Sequence, residues 1–220
     1  MTSTTPAIYQ TGTEQSLTDR LRHVIVAGNL VPHQRLVEAD VAEEHQASRG
    51  DVRLALNELI TEGLVERIPN RGARVRKVSL QEAIEITEVR GAVESLCARK
   101  AAAKITEAQA NGLRDIGTAM QTAVQHGARD EYSNLNRQLH NRIIAIADQQ
   151  TAAQTINRLR GQAIRYHFQL SAQPDRPQVS LPQHLAVIEA IAQRDPDAAA
   201  AAMHTHLASV AEAIANSAGV

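Results

Sequence analysis

The sequence predicts a mainly α-helical protein whose single small β element lies in its N-terminal third. Three observations carry this. Hydrophobic residues make up 43% of the 220-residue chain and aromatic residues only 2%, with no Trp. Such a composition points away from β-sandwiches and toward helices rich in Ala and Leu. From Ser48 to Gly63 apolar residues recur at helical spacing, and between Leu64 and Val78 the pattern switches to alternation. From Ser79 onward only helical spacing recurs.

Taken in order, residues 1–13 are rich in Thr, Ser and Ala without a period, which reads as a disordered tail. From about Glu14 a helix carries Leu17, Leu21, Val24 and Ile25 on one side and ends near Gly28-Asn29. Leu30 to Leu36 forms a loop or short strand, and Val37 to His45 a short helix. Ser48 then caps a helix with Asp51 in its first turn, and Val52, Ala55, Leu56, Leu59 and Ile60 form its inward stripe. Beyond Gly63, two alternating runs flank Pro69-Asn70-Arg71-Gly72, the pattern of a two-stranded hairpin with Arg71 at its tip. Residues 14–78 thus read as a winged helix-turn-helix with a small β wing.

The exposed face of the Ser48 helix gives this unit a function. Arg49, Arg53 and Asn57, spaced by four, offer the donors that guanine and adenine edges accept in a major groove. A solvated helix face is the bland alternative. The hairpin that follows carries Arg67, Arg71, Arg74, Arg76 and Lys77 with no acid among them, which suits phosphates and the narrow minor groove. The formal net charge of -1 means any DNA contact comes from this local patch. Arg35 is a further candidate phosphate contact or simply a surface cation. One cysteine, Cys97, excludes an intrachain disulfide and fits a reducing, cytoplasmic setting. Neither a membrane-length apolar run nor a signal-peptide core is expected.

On these residues the stretch from about Leu17 to Val78 resembles the N-terminal domain of GntR-family bacterial transcriptional regulators. The matching features are Arg35-Leu36, Ser48-Arg49, Val52-Arg53-x-Ala55-Leu56-x-x-Leu59, Glu62-Gly63-Leu64-Val65 and Asn70-Arg71-Gly72. The resemblance implies that Arg35, Arg49 and Arg53 contact operator DNA and that the Arg71-Gly72 wing tip enters the minor groove; Ser48 and Asn57, beside them on the same helix, are further candidate DNA contacts. Gly50-Asp51 departs from the family's usual Thr-Pro-like pair. Asp51 either accepts from a cytosine amino group or serves as a first-turn acid favoured by the helix dipole.

Residues 79–220 read as an antiparallel bundle of about six helices. Ser79-Leu80-Gln81-Glu82 opens the first as a capping box, with Ile86, Val89, Val93, Leu96 and Cys97 as the expected inward stripe. Further helices are expected at about Glu107–His126, Arg129–Ala147, Ala152–Leu170, Leu181–Gln193 and Pro196–Ser217, with a Pro-containing loop at Gln173–Ser180. Within them, Asn136 and His140 lie one turn apart in line with Ile143, His184 lines up with Ile188 and Ile191, and His206 with Met203 and Val210. Each histidine alone reads better as a satisfied core residue. Three imidazoles on apolar faces of one bundle also match the way facing helices build metal sites.

The segment from about Glu82 to Leu207 is similar to the all-helical (FCD-type) effector domain of the FadR-type branch of that family. The matching features are Arg90-x-x-x-Glu94, Leu135-Asn136-x-x-Leu139-His140, Gln183-His184-x-x-Val187-Ile188 and Met203-x-x-His206-Leu207. The resemblance implies a divalent metal, zinc with nickel or iron as alternatives, on Asn136, His140, His184 and His206, with open positions for a small carboxylate effector. Asn136 stands where the family usually has an aspartate. Arg90 is either a clamp for the effector carboxylate or a structural partner of Glu94, and Arg165 is a weaker clamp of the same kind. The expectation is a regulator, not an enzyme, that binds a pseudo-palindromic DNA operator as a homodimer under the control of a small organic acid. A purely structural metal and a three-histidine metalloenzyme are the competing readings.

Overall fold

The computed structural model describes residues 16–69, 72–163, 166, 170, 173 and 175–217. The expected tail at 1–13, Arg71, Arg165 and the last turns of the helix expected to end at Leu170 lie outside them or nearly so. The chain divides into two compact units, at 1–75 and 76–220.

The first unit runs α1 (Leu17–Val26), β1 (Arg35–Leu36), α2 (Glu38–Glu44), α3 (Arg49–Thr61), β2 (Val65–Ile68) and β3 (Gly72–Val75). Ser16 and Ser48 cap α1 and α3 by accepting from the backbone N–H of Asp19 and Asp51, satisfying a donor that each helix start leaves open. Leu21, Ile25, Val41, Val52, Leu56, Leu59 and Val65 share one core with Leu36 and Val75. Leu59 is fully buried there, so its truncation to alanine costs about 2–5 kcal/mol. Polar ties reinforce the α1–α3 contact: Thr18 donates to Glu58, and Arg22 pairs with Glu62 at 2.6 Å. The sheet order is β1-β3-β2, antiparallel throughout, with Arg35 opposite Arg74 and Ile68 opposite Gly72. Gly72 has φ +87°, and a Cβ there would meet the Leu36 carbonyl at 3.2 Å. Only glycine turns the wing this tightly against β1.

The second unit is helical: α4 (Leu80–Lys104), α5 (Glu107–Gln125), α6 (Arg129–Ala147), α7 (Gln150–Gln162), α8 (Arg176–Ala192) and α9 (Pro196–Asn216). Ser79 caps α4, a Thr106/Gln109 capping box opens α5, and Asp195 with Pro196 opens α9. The inward face of α4 differs from the expected stripe. Val89 and Leu96 are 51% and 41% exposed, and the buried face is Ala83, Ile86, Thr87, Arg90, Gly91, Glu94, Cys97 and Ala98. The small residues allow close packing against α9, where a Cβ at Gly91 would touch Leu207 at 3.4 Å. An Arg–Glu pair inside that face is what misaligns a purely hydrophobic reading.

Helix α8 also begins earlier than expected, at Arg176 in place of Leu181. Pro177 lies in the first turn, where its missing N–H has no helical partner to lose. Ser180, expected at the end of the Pro-containing loop, instead lies within the helix and donates back to the Arg176 carbonyl at 3.0 Å. That extra turn places Arg176 in the bundle.

Candidate nucleic-acid interface and metal centre

On α3, Arg49, Arg53 and Asn57 are all exposed and share the face opposite the Val52–Leu59 stripe. Leu54, 60% exposed, stands beside Arg53. Sequence reasoning passed over it because an apolar residue next to a core stripe looks like core. In the protein alone these donors have internal partners: Arg53 Nε donates to Glu38 at 2.7 Å, and Arg67 of the wing donates to the Asn57 side chain. Arg74 pairs across the wing with Glu66, and Arg76 pairs with Glu82. Two of the wing cations thus meet acids that lie just outside the acid-free stretch. Ser48 Oγ donates to Asp51 at 2.7 Å, so Asp51 acts as a first-turn acid within the cap. Arg35 is exposed on β1.

In the second unit, α6, α8 and α9 bring His140, His184 and His206 together. One ring nitrogen from each lies within 4.8 Å of the others, and all three residues are buried. The ring centroids are 5.5, 5.3 and 4.2 Å apart. Separations of 44 and 22 residues gave no distance; only packing of the three helices converges them.

The hydrogen bonds around these rings fix which nitrogen faces the centre. His140 Nδ1–H donates to Glu94 Oε2 at 2.7 Å, and His206 Nδ1–H donates to Gln183 Oε1 at 3.1 Å. For His184 the proton follows from a chain. Ser180 donates to the Arg176 carbonyl and so accepts from the Tyr132 hydroxyl at 2.8 Å; the Tyr132 oxygen in turn accepts from His184 Nδ1–H at 3.0 Å. All three imidazoles therefore keep an Nε2 lone pair, and that of His184 is buried with no hydrogen-bond partner. The Asn136 carbonyl oxygen, one turn before His140 on α6, is also buried and unpartnered. Orphaned buried acceptors are costly, and a cation at the centre would satisfy them. The three imidazoles fit a divalent metal of the zinc, nickel or iron type.

Electrostatics agrees. Burial first, then the neighbouring imidazole and Arg176, hold His184 well below the usual histidine range; burial and its neighbours do the same for His206. Both stay neutral, as ligands must. Burial alone would raise the Glu94 carboxyl, but Arg90, His140 and Arg160 hold it well below the usual carboxylate range. Glu94 accepts from Arg90 at 2.9 Å and from Arg160 at 3.0 Å. Arg90 is thus held against Glu94. Tyr132, Arg160 and Arg176 were not anticipated, since their partners lie 48, 66 and 33 residues away.

Comparison with known proteins decides the family. The profile of the FCD domain matches residues 85–209, and that of bacterial regulatory proteins of the gntR family matches residues 13–75. This chain is a GntR-family regulator. It is 32% identical to the HTH-type transcriptional repressor RspR of Escherichia coli K12 over 88% of this chain and 85% of that protein. It is 26% identical to the Nta operon transcriptional regulator of Aminobacter aminovorans over 80% of this chain and 82% of that one. Among solved structures, E. coli McbR/YncC aligns with a TM-score of 0.74 at 19% identity, over 92% of this chain and 97% of that one. A GntR regulator from Rhodococcus sp. RHA1 aligns at 0.70 and 19% identity, over 91% and 96%, and both share the fold. The GntR assignment makes the protein a bacterial DNA-binding transcriptional regulator with an FCD effector domain, not an enzyme. No described helix of this GntR protein is long and apolar enough to cross a membrane.

Proposed function

We propose that this regulator is a cytoplasmic homodimer that binds a pseudo-palindromic operator, and that a small carboxylate at a zinc centre sets its operator affinity. The observation that carries the sensing half is the locked tautomer of all three histidines, with His184 Nε2 and Asn136 Oδ1 buried and unpartnered. Asn136, His140, His184 and His206 would hold the metal, and the metal would supply a Lewis-acidic position for an oxygen of the acid. A neutral Asn136 in place of a carboxylate leaves the centre one charge more positive, which favours an anionic ligand.

The DNA half rests on the free face of α3. Arg49 and Arg53 suit guanine, Asn57 suits adenine, and Leu54 offers apolar contact to a thymine methyl. Ser48 and Arg35 suit phosphates, and the wing with Arg71 and Gly72 suits the minor groove. One winged helix reads a half-site, so two copies are needed. Val89 and Leu96, exposed on one face of α4, are a fitting surface for the second copy. An acid that binds one arrangement of the dimer better shifts operator affinity by that difference and no more.

The test is thermal unfolding of the full chain against a panel of small carboxylates, before and after chelation. The sensing reading expects a concentration-dependent rise for one class of acid that chelation abolishes. Large destabilisation by the chelator with no response to any acid would replace it with a structural metal.

A further inference from the structure

The metal accounts for two of the orphaned atoms near the histidines, but a third is of the opposite kind. Arg176 Nη2 is buried and has no hydrogen-bond partner. It is a donor on a cation, so a metal ion would repel it, and only an acceptor satisfies it. Its neighbour Nη1 donates to Ser209 Oγ at 3.1 Å. Ser209 lies three residues beyond His206 on α9, about 4.5 Å along the helix axis. The guanidinium is therefore pinned roughly one turn from a metal ligand. Its own backbone carbonyl anchors the Ser180–Tyr132–His184 chain, and its charge is felt at both His184 and His206.

We propose that Arg176 is the second anchor of the effector: its Nη2 donates to one carboxylate of a small dicarboxylic acid whose other carboxylate reaches the metal. This rests on the sensing reading above and narrows it. Arg90 has its guanidinium held against Glu94, whereas the Arg176 fork has one arm fixed and one open. A ligand spanning two positive groups needs an anionic oxygen at each end, which a monocarboxylate lacks.

The experiment follows the visible absorption of the Co2+-loaded full chain during titration. Malonate, succinate and glutarate are each compared with the monocarboxylate of equal length: propionate, butyrate and valerate. In the wild type, at least one diacid should bind on the order of tenfold or more tighter than its monoacid, the value of one charge-assisted hydrogen bond. Arg176→Gln should erase that preference while keeping the metal content and the spectrum before acid is added. Arg176→Lys should retain part of it and guards against loss of folding in the glutamine variant. An Arg176→Gln protein with the wild-type preference overturns the role of Arg176, as does a wild type that binds monoacids and diacids alike. A wild type whose spectrum responds to none of the acids overturns the sensing reading itself, and this inference with it.

Discussion

His140 donates its Nδ1–H to the Glu94 carboxylate at 2.7 Å, and Glu94, 1% exposed, simultaneously accepts from Arg90 and Arg160. One buried acid thus orients an imidazole of the candidate metal centre and offsets the charge of Arg90, which is buried, and of Arg160, which is partly so. Replacing it by Gln should break both functions. With Arg90 left buried beside a neutral amide, the metal-free protein should lose about 3–5 kcal/mol of unfolding free energy. Metal affinity should fall by about 10–100-fold through the loss of the hydrogen bond that orients His140. Urea unfolding and competitive zinc titration measure the two separately; an unchanged zinc affinity would remove Glu94 from the metal's support.

Asn136→Asp should act with opposite signs on the two forms. In the metal-free protein a carboxylate replaces a buried, unpartnered amide oxygen, costing about 1–3 kcal/mol or more. With metal bound, the same carboxylate is an anionic ligand and affinity should rise; a tenfold gain corresponds to about 1.4 kcal/mol. Melting temperatures with and without zinc, read on both proteins, should cross. Parallel shifts would place Asn136 outside the coordination sphere.

Acid should destabilise the metal-free protein earlier than carboxylate titration alone would. Burial holds His184 and His206 below the ordinary 6.5, so the folded state keeps them neutral where the unfolded chain takes up protons. Their contribution is complete above the ordinary value and is lost as pH falls below it, at up to about 1.4 kcal/mol per pH unit for each ring. Glu94, also held low, adds its loss only below the ordinary 4.5. Unfolding free energy measured from pH 8 to 5 should decline from the histidine range downward. A flat profile there, or one unchanged in His206→Gln, would contradict neutral buried imidazoles.

Arg53 pairs with Glu38 at 2.7 Å on an exposed surface, a contact worth at most about 1 kcal/mol and readily exchanged for DNA. Arg53→Ala should weaken binding to an operator selected from random-sequence DNA by about 1–3 kcal/mol and relax base choice at one position. Fluorescence anisotropy at several salt concentrations discriminates the alternatives. A uniform loss over all sequences, with the salt slope reduced by about one, would make Arg53 a phosphate contact.

The sequence by itself determined the class of each element and most of its register. Helical spacing in α3, alternation in the wing and the Ser48 cap are local, and local chemistry is written in neighbouring residues. It also singled out His140, His184 and His206, which the fold brings together, because lone polar side chains on apolar stripes stand out. The tertiary structure decided what meets what. Alanines and Gly91 on α4 admit close helix packing, which put Arg90 and Glu94 inward and turned Val89 and Leu96 out. Pro177 in a first turn let α8 start at Arg176, delivering a guanidinium that a loop would have left elsewhere. Convergence of His140, His184 and His206, and the Ser180–Tyr132 chain that fixes one of their protons, depend on distances between helices. Periodicity specifies the face of a single helix; only the packing of several helices sets the separation between their side chains.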